Sequence, residues 1–443
     1  MFEKRMIKNK NKTYIGYDFG DGYAQISYYM DGMQEPKTLP SAIDEEVFKI
    51  PDMLVKVQGI YYAGVLAMAH KDDVNAIVFE DIFKNALESP NITVANQRFS
   101  TLTLLTMFLN ITLEGLQSYF DYRMTNYVMF TTNYGEDEDE MVLVQKLIAK
   151  AVETIFSRKT KYSVQSRQES IAHFLLGKGK EYIHDGAMIF DYQKGSIKGC
   201  YVERIGDAPP YLIKVHNKQY PEVTLPKDSV LEMKIPRFKR EVDTKFLAIV
   251  NAIPKKETFR NAYLIGDGFK GDWLEESLEI LCEKGKVFQG NTLYSLGACY
   301  QLINSINNAG DFEDYKYLKA DSIMHEIGIY VRKQGFNLNS IDKEYLGIFR
   351  IGDRVKHCSK EIELIPANET SLELVSKSIY NKGVVTLQIP LDRIPKRDIG
   401  ETKIKVNIKF DNEKTLKVKV EDIGFKEVLP GSGKSFTDIF ILE

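Results

Sequence analysis

Three short apolar stretches constrain the fold of this chain more than any other feature, because each ends in an acidic residue with glycine in or near the turn. They are Thr13–Gly22 (TYIGYDFGDG), Gly186–Tyr192 (GAMIFDY) and Asn261–Gly268 (NAYLIGDG). The third is followed by an amphipathic helix-length stretch, WLEESLEILCEKG. A strand, a turn of small residues and a helix form the α/β unit whose loop and helix terminus suit anions. The pattern predicts loops that contact a phosphate. For the first stretch a plain hairpin turn is the alternative, since Asp-Gly is itself a turn signal.

Strand-like and helix-length stretches alternate through the first two thirds of the chain. Asn126–Thr132 (NYVMFTT) is predicted to be a buried strand. The next helix is predicted to begin within the acids Glu136–Glu140, because the helix dipole favours negative charge in the first turn. The proline-rich segment Asp207–Arg260 is predicted to form loops and short strands rather than a complete domain.

Beyond Asp311 the pattern changes to that of an all-β domain. Thr402–Phe410 alternates strictly between apolar and polar residues, and Leu416–Val420 does the same after a short turn. This alternation predicts an antiparallel hairpin with one solvent-exposed face. Val384–Leu391 and Glu361–Pro366 are predicted to be further strands.

Composition and charge argue against several classes of protein. A net charge of −3 over 443 residues gives no global electrostatic case for binding nucleic acid or a membrane. The four cysteines lie far apart with no CxxC pair, which argues against a zinc site or disulfide framework and fits a reducing compartment. The basic N-terminus lacks the apolar stretch of a signal peptide, and the most apolar window, Ser100–Leu116, is too short and polar to span a bilayer. We therefore expect a cytoplasmic protein that binds neither nucleic acid nor a membrane.

The order of the acid-containing loops resembles that of a known superfamily. Strands ending IGYDFGDG, IFDYQKGS and LIGDG are similar, in that order, to the first phosphate loop, second phosphate loop and adenosine loop of the actin, sugar kinase and heat-shock ATPase superfamily. The appended β-domain narrows the resemblance to the seventy-kilodalton heat-shock chaperones. Val287–Leu302 is similar to the segment that closes their nucleotide domain. The resemblance implies an α/β actin-like two-lobed nucleotide-binding domain followed by an all-β sandwich domain.

The resemblance also implies domain boundaries. We expect a disordered tail at 1–12, lobe I at 13–180, lobe II with a reduced outer subdomain at 181–310, a linker at 311–325 and a β-sandwich at 326–443.

Individual residues receive roles from the same resemblance, which implies ATP and magnesium as cofactors. Asp18 and Asp191 fall on the carboxylates of the magnesium shell, and Glu169 falls on the catalytic glutamate that helps to place the attacking water. The residues implied to contact the nucleotide are Gly20, Asp21, Gly22, Gly195, Ser196, Gly266, Asp267 and Gly268. Three carboxylates around one phosphate need a hard cation between them, and magnesium prefers such oxygen ligands.

Departures from the family's pattern bear on activity. The family follows its first-loop glycine with two threonines, whereas this chain has Asp21-Gly22, and a carboxylate there would repel a γ-phosphate. The second loop is not rich in glycine. The place of the family's catalytic lysine falls near Met68, with Lys71 a few residues late.

These losses favour a nucleotide-binding or degenerate regulatory or adaptor protein that binds a protein or peptide through its β-domain. An active but slow Mg-dependent ATPase with chaperone-like activity is the alternative, because losing one positioned group typically lowers a rate by ~10² to 10³. A filament former ranks lower, and no motif identifies the aspartate base of a sugar kinase. PGSGKS (Pro430–Ser435) lacks the first glycine of a P-loop and is predicted to be a surface loop.

Overall fold

The structure is a computed structural model, and its contacts divide the chain into two compact units. Unit 1 comprises Met1–Arg204 and Ile213–Tyr315, and unit 2 comprises Ile205–Leu212 and Lys316–Glu443. The residues that the structure describes are 12–41, 47–135, 138–193, 195–206, 209, 211–220, 236–307, 314–319, 321–334, 341–366, 370–380, 383–398, 400–425 and 428–442. The expected disordered tail, apart from Lys12, lies outside the described residues, as does part of the expected linker.

The first sheet of unit 1 is built around the Asp18 hairpin. Its strands are β1 (Thr13–Phe19), β2 (Tyr23–Met30), β3 (Lys37–Thr38), β4 (Ile50–Pro51), β10 (Tyr127–Thr132) and β11 (Lys161–Ser166). Their order is β11-β10-β1-β2-β3, with β4 also paired to β2. β1 is antiparallel to β2 and parallel to β10, which is parallel to β11. The carboxyl ends of β1, β10 and β11 therefore meet at one edge, and the strand predicted at Asn126–Thr132 is confirmed.

Smaller elements are inserted between β4 and β10. β5 (Met53–Val57), β6 (Ile60–Ala63) and β7 (Ile77–Glu80) form a sheet, and β8 (Asn91–Val94) and β9 (Gln97–Ser100) form a hairpin. The helices of this half are α1 (Gly64–His70), α2 (Ile82–Glu88), α3 (Thr101–Leu113) and α4 (Glu138–Val152). The start of α4 inside the acidic run confirms that prediction. Apolar side chains of α3 and α4 join the core formed by Tyr17, Phe19 and Phe130 on one face of the first sheet.

The second sheet repeats the pairing pattern of the first. Its strands include β12 (Ala187–Gln193), β13 (Ser196–Ile205), β14 (Tyr211–Gln219), β15 (Asn261–Ile265) and β16 (Lys286–Gln289), in the order β16-β15-β12-β13-β14. β12 is antiparallel to β13 and parallel to β15, which is parallel to β16. In both sheets, a hairpin is followed by two parallel strands.

Two helices pack together beside these sheets. The helices of this half are α5 (Arg167–Lys178), α6 (Glu181–His184), α7 (Pro236–Asn251), α8 (Glu276–Lys284) and α9 (Leu293–Asn307). α9 packs on α5 and on β1, at a point where Gly16 approaches the backbone of Ser295 and Cys299. α5 contacts β15 through the rings of Phe174 and Tyr263.

Helix α7 corrects the prediction of loops and short strands for Asp207–Arg260. The helix covers 16 residues and buries Val242, Phe246 and Ile249. Pro236 is its first residue. At that position the missing N–H of proline breaks no intrahelical hydrogen bond, so the proline begins the helix instead of ending it.

Unit 2 contains two antiparallel sheets with one shared core. After β17 (Tyr315–Tyr317), the strands are β18 (His325–Gln334), β19 (Ile341–Phe349), β20 (Ser359–Leu364), β21 (Ser371–Ser378), β22 (Val384–Pro390), β23 (Ile404–Asn412), β24 (Thr415–Asp422) and β25 (Ser435–Ile441). The sheet orders are β19-β18-β21-β22 and β20-β23-β24-β25. Ile327 and Leu374 of one sheet lie in the same cluster as Val406 and Val418 of the other. The hairpin predicted from the alternation in Thr402–Val420 is confirmed by β23 and β24.

Candidate functional site

Asp18 lies at the carboxyl end of β1 and is fully buried. The turn after it is tight, because the N–H of Gly20 donates to the carbonyl of Tyr23 (2.7 Å) and Gly22 has a φ of 83°. A Cβ on Gly20 would lie 2.4 Å from Cζ of Tyr23. The glycines of this loop therefore make the turn and allow the close approach of Tyr23.

The partner of Asp18 is a guanidinium from a neighbouring strand end. Arg167 is the first residue of α5, and it follows β11, whose carboxyl end lies at the same sheet edge as that of β1. Its Nε donates to Oδ1 of Asp18 (3.1 Å) and its Nη2 donates to Oδ2 (2.9 Å). Asp18 is 0% exposed and Arg167 is 6% exposed. This is the bidentate geometry in which arginine–carboxylate pairs are strongest.

Tyr23 extends this pair toward the second predicted phosphate loop. Its hydroxyl oxygen accepts from Nη2 of Arg167 (3.2 Å) and from Nε2 of Gln193 (3.2 Å). Gln193 also donates to Oδ1 of Asp191 (2.8 Å), and the Tyr294 hydroxyl donates to Oδ2 of Asp191 (3.1 Å). The guanidinium carbon lies 4.3 Å from the centre of the Tyr294 ring. These five residues and Asp18 are named the arginine network.

Two carboxylates of the arginine network share one buried positive charge. Burial raises the pKa of both Asp18 and Asp191, and the charge of Arg167 opposes that rise at both. Burial lowers the pKa of Arg167, but Asp18, Tyr23 and Tyr294 together outweigh this effect and hold that pKa well above its usual value. The guanidinium therefore stays charged inside the protein.

A cleft of about 330 Å³ lies beside the arginine network. Four residues implied to contact the nucleotide line it, Gly20, Asp21, Gly22 and Ser196, together with Asp191, which was assigned to the magnesium shell. Four carboxylates (Asp21, Asp52, Asp81 and Asp191) face two lysines (Lys84 and Lys198) in this lining. The charges of the cleft therefore disfavour a polyphosphate.

Asp21 and the turn of the second loop are held by neighbours within the cleft. Asp21 accepts from Nδ2 of Asn133 (2.6 Å) and lies 3.7 Å from Nζ of Lys198. Gly195 has a φ of 79°, and the Ser196 hydroxyl donates to the carbonyl of Gln193 (3.2 Å). The glycine is therefore required by the turn between β12 and β13.

The three residues of the predicted adenosine loop are occupied by contacts from the protein itself. Nζ of Lys49 lies 2.7 Å from Oδ2 of Asp267. Burial raises the pKa of Asp267, but pairing with Lys49 and then Lys270 gives a net lowering. A Cβ on Gly266 would lie 2.2 Å from the carbonyl oxygen of Tyr192, and one on Gly268 would lie 2.3 Å from the Tyr192 ring. These glycines make room for Tyr192, and the described lining of the cleft includes none of the three loop residues.

Glu169, the residue assigned to catalysis, lies next to α9. Its N–H donates to the Ser166 side chain, which caps α5, and its Oε1 accepts from Nε2 of Gln301 (3.5 Å). It is not among the described residues that line the cleft. The structure therefore brings Asp18, Asp191 and the first loop together, whereas the carboxylate of Glu169, two residues after Arg167, accepts from Gln301 of α9.

The side chains present do not fit a magnesium ion between Asp18 and Asp191. Both oxygens of Asp18 already accept from Arg167, and both oxygens of Asp191 accept from neighbouring side chains. In the described part of the chain, no group of three His, Cys, Asp or Glu residues is placed to hold a metal. Magnesium requires oxygen ligands in near-octahedral geometry.

Sequence reasoning missed the residues that organise this site, namely Arg167, Tyr23, Lys49, Gln193 and Tyr294. The signal for Arg167 was available, because it directly follows a strand parallel to the strand that ends at Asp18. The resemblance to the heat-shock chaperones pointed instead to Glu169, two residues after Arg167. Lys49 and Tyr294 are brought in by long-range packing, whereas Tyr23 and Gln193 stand within five residues of Asp18 and Asp191 in sequence and meet each other across the two loops.

The fold and the arginine network together define a mixed α/β protein with a buried Arg–Asp pair between two hairpin loops. Residues 35–320 match the model described as "Family of unknown function (DUF5716) C-terminal", so the chain belongs to this family. Residues 322–442 match "Domain of unknown function (DUF8552)". No curated protein matches the chain. Among the described helices, none has the length and apolar character needed to cross a membrane.

Proposed function

We propose that the protein is a nucleotide-independent adaptor related to the actin and heat-shock ATPase superfamily, which binds a protein partner through the β-sheets of unit 2. In both sheets of unit 1, an antiparallel hairpin is followed by two parallel strands, and this repetition supports two actin-like lobes at 13–180 and 181–310. The lining of one cleft by Gly20 and Asp191 supports the assignment of the two hairpin loops as related to phosphate loops.

One observation carries the nucleotide-independent part of this proposal. The guanidinium of Arg167 lies where the resemblance implies a magnesium ion, and its two N–H groups occupy both oxygens of Asp18. A magnesium nucleotide would have to displace a buried cation from a buried carboxylate. Leaving one partner of such a pair buried and alone costs about 3–5 kcal/mol.

The charges of the cleft are a second reason to expect no nucleotide binding. Phosphoryl transfer depends on positioning and on neutralising the phosphate charge. The cleft is lined by four carboxylates and two lysines, so its charges repel a phosphate instead of neutralising it. At an effective dielectric constant near 20, two like charges ~4 Å apart repel by about 4 kcal/mol, which is an upper guide.

Calorimetric titration of the full-length protein with ATP in excess magnesium tests the proposal. We expect no saturable heat and no thermal shift for the wild type. Asp21→Thr removes a negative charge from the cleft and is therefore the variant most favourable to ATP binding. If this variant also shows no saturable heat, the absence of binding does not depend on the Asp21 charge. Saturable binding by the wild type that is lost in Asp18→Ala would overturn the proposal and support the slow Mg-dependent ATPase.

A cytoplasmic location is part of the proposal. None of the four cysteines, Cys200, Cys282, Cys299 and Cys358, forms a disulfide bond. Burial raises the pKa of the Cys299 and Cys358 thiols, the latter to about 11. Cysteines that form no disulfide fit a reducing compartment.

A further inference from the structure

Strand β25 is an edge strand that exposes apolar side chains. It pairs with β24, from Glu421 opposite Ser435 to Thr415 opposite Ile441, and its other edge pairs with no described strand. Ile439 is 60% exposed and Ile441 is 77% exposed. Proteins usually protect a free edge with charge, proline or a covering element, since unpaired N–H and C=O groups there accept another strand.

Unpaired positive charge lies one strand away from these isoleucines. Lys417 stands opposite Ile439 and Lys419 stands opposite Thr437, on the solvent side of β24. Neither lysine forms an ion pair with a described residue. Further across the same sheet the charges are balanced, because Lys405 pairs with Glu361 (3.2 Å) and Lys403 pairs with Glu363 (2.6 Å).

Strand β25 itself offers no unpaired negative charge. Its one acidic residue, Asp438, accepts from Nη1 of Arg393 (2.7 Å). Edge pairing between two copies of β25 would therefore leave the lysines of both copies without acidic partners. The charge pattern favours a different chain that carries acidic residues.

Strand β22 at the edge of the other sheet provides a comparison within the same unit. Val384 and Val385 are 57% and 58% exposed, so its apolar exposure is similar. The lysine opposite Val384, Lys377, lies 3.6 Å from Glu326, and the strand ends in Pro390. Apolar exposure and unpaired positive charge thus coincide at β25 and not at β22.

We propose that β25 binds an extended partner segment by strand addition, and that this segment carries apolar residues beside Ile439 and Ile441 and acidic residues beside Thr437. Strands in a sheet are about 4.8 Å apart, so the added strand would lie about 9.6 Å from β24. A lysine side chain on β24 and a glutamate side chain on the added strand can span this distance when they extend toward each other over β25. Main-chain hydrogen bonds supply the affinity and the side chains supply the selectivity. This inference rests on the proposed role of unit 2 in binding a partner.

Fluorescence anisotropy with the full-length protein tests this assignment. The probe is a labelled synthetic peptide of four valines followed by four glutamates, and the control peptide has lysines in place of the glutamates. We expect the glutamate peptide to bind at least about tenfold more tightly, and added salt to weaken its binding. No binding of the glutamate peptide at about 1 mM, or equal binding of both peptides, overturns the proposal.

Matched variants locate the binding surface. Ile439→Glu and the double variant Lys417→Glu/Lys419→Glu should each weaken binding about tenfold or more, whereas Val385→Glu on β22 should not change it. Each of these side chains is solvent-exposed, and an unchanged circular dichroism spectrum verifies that the variants fold. Loss of binding in Val385→Glu alone contradicts the assignment to β25. Concentration-dependent dimerisation that Ile439→Glu abolishes would show that a second copy occupies the edge and would overturn the proposal.

Failure of this inference and failure of the proposed function give different results. Saturable Mg-ATP binding with intact peptide binding overturns the nucleotide-independent proposal and leaves the β25 surface supported. No peptide binding together with no nucleotide binding overturns only the β25 surface.

Discussion

At the scale of single residues, Arg167 provides the positive charge that a bound cation would otherwise provide near two buried carboxylates. The guanidinium is covalently part of the chain, and an arginine side chain stays charged over the ordinary pH range. It brings one positive charge to two buried acids, Asp18 and Asp191. Removing it should therefore affect the protonation of both acids, and this effect can be measured through stability.

We predict that Arg167→Met lowers the free energy of unfolding by about 3–5 kcal/mol at pH 7 and by less at pH 4.5. Burial already raises the pKa of Asp18 and Asp191, and Arg167 opposes the rise, so the substitution raises both further. An acid whose folded pKa is raised contributes stability below its unfolded pKa, about 3.9, and this contribution is lost as the pH rises through the folded pKa. Denaturant unfolding at the two pH values measures the difference.

The double variant Asp18→Asn/Arg167→Met serves as the control for this prediction. It removes one of the two acids together with their shared cation, so it should be less sensitive to pH than Arg167→Met. An equal loss for Arg167→Met at both pH values would show that its effect comes from packing against Tyr23 and Tyr294. In that case the charge argument for the arginine network would be wrong.

At the scale of elements, the packing of α5 against α9 fixes where Arg167 and Tyr294 lie. The helices approach so closely that a Cβ on Gly297 would lie 2.0 Å from the carbonyl oxygen of Ser170. The Ser170 hydroxyl donates to the carbonyl of Tyr294 (2.5 Å), which links the starts of the two helices. The same packing therefore positions the cation and one hydroxyl donor of the arginine network.

We predict that Gly297→Ala lowers the free energy of unfolding by about 1–3 kcal/mol, because the helices must separate to admit one methyl group. Gly290→Ala is the matched control. A Cβ there meets no atom within 4 Å, so its effect should stay within about 0.5 kcal/mol. Denaturant midpoints compare the two variants. Equal effects would mean that the contact between α5 and α9 relaxes without cost.

Elements with a strong local signal could be predicted from the sequence. The acids in the first turn of α4 and the alternation in β23 and β24 are patterns within a few residues, so the structures that they form follow from local physics. Helix α7 was not predicted because a proline disrupts a helix at an interior position but is favoured at the first position. The sequence alone does not show which of these positions Pro236 occupies. Of the site, Asp18, Asp191 and the glycine loops were found, whereas Lys49 meets Asp267 across 218 residues, which no local pattern encodes.

At the scale of the whole molecule, the two units have separate hydrophobic cores. Tyr17 and Phe130 belong to one cluster in unit 1, and Val406 and Val418 belong to a cluster in unit 2. Chains with several cores commonly unfold in more than one step. Each unit also contains an arginine–aspartate pair with a buried carboxylate, because in unit 2 the partly buried Arg397 donates to both oxygens of Asp422 (2.8 and 2.7 Å). These two pairs allow each unit to be perturbed separately.

We predict that Asp422→Asn lowers only the stability of unit 2, measured by calorimetry, by about 1–3 kcal/mol at pH 7, because the Arg397 left behind is partly exposed to solvent. Arg167→Met should lower only the stability of unit 1. Hydrogen bonds from Arg397 lower the pKa of Asp422, and the N–H of Ser432 adds a third donor. An acid with a lowered folded pKa contributes stability above its unfolded value of about 3.9, and this contribution is lost as the pH falls toward the folded pKa. The wild-type transition of unit 2 should therefore fall below pH 4 more steeply than that of Asp422→Asn. If both substitutions lower one common transition equally, the two cores unfold as one cooperative unit and the separation argued from their contacts does not hold.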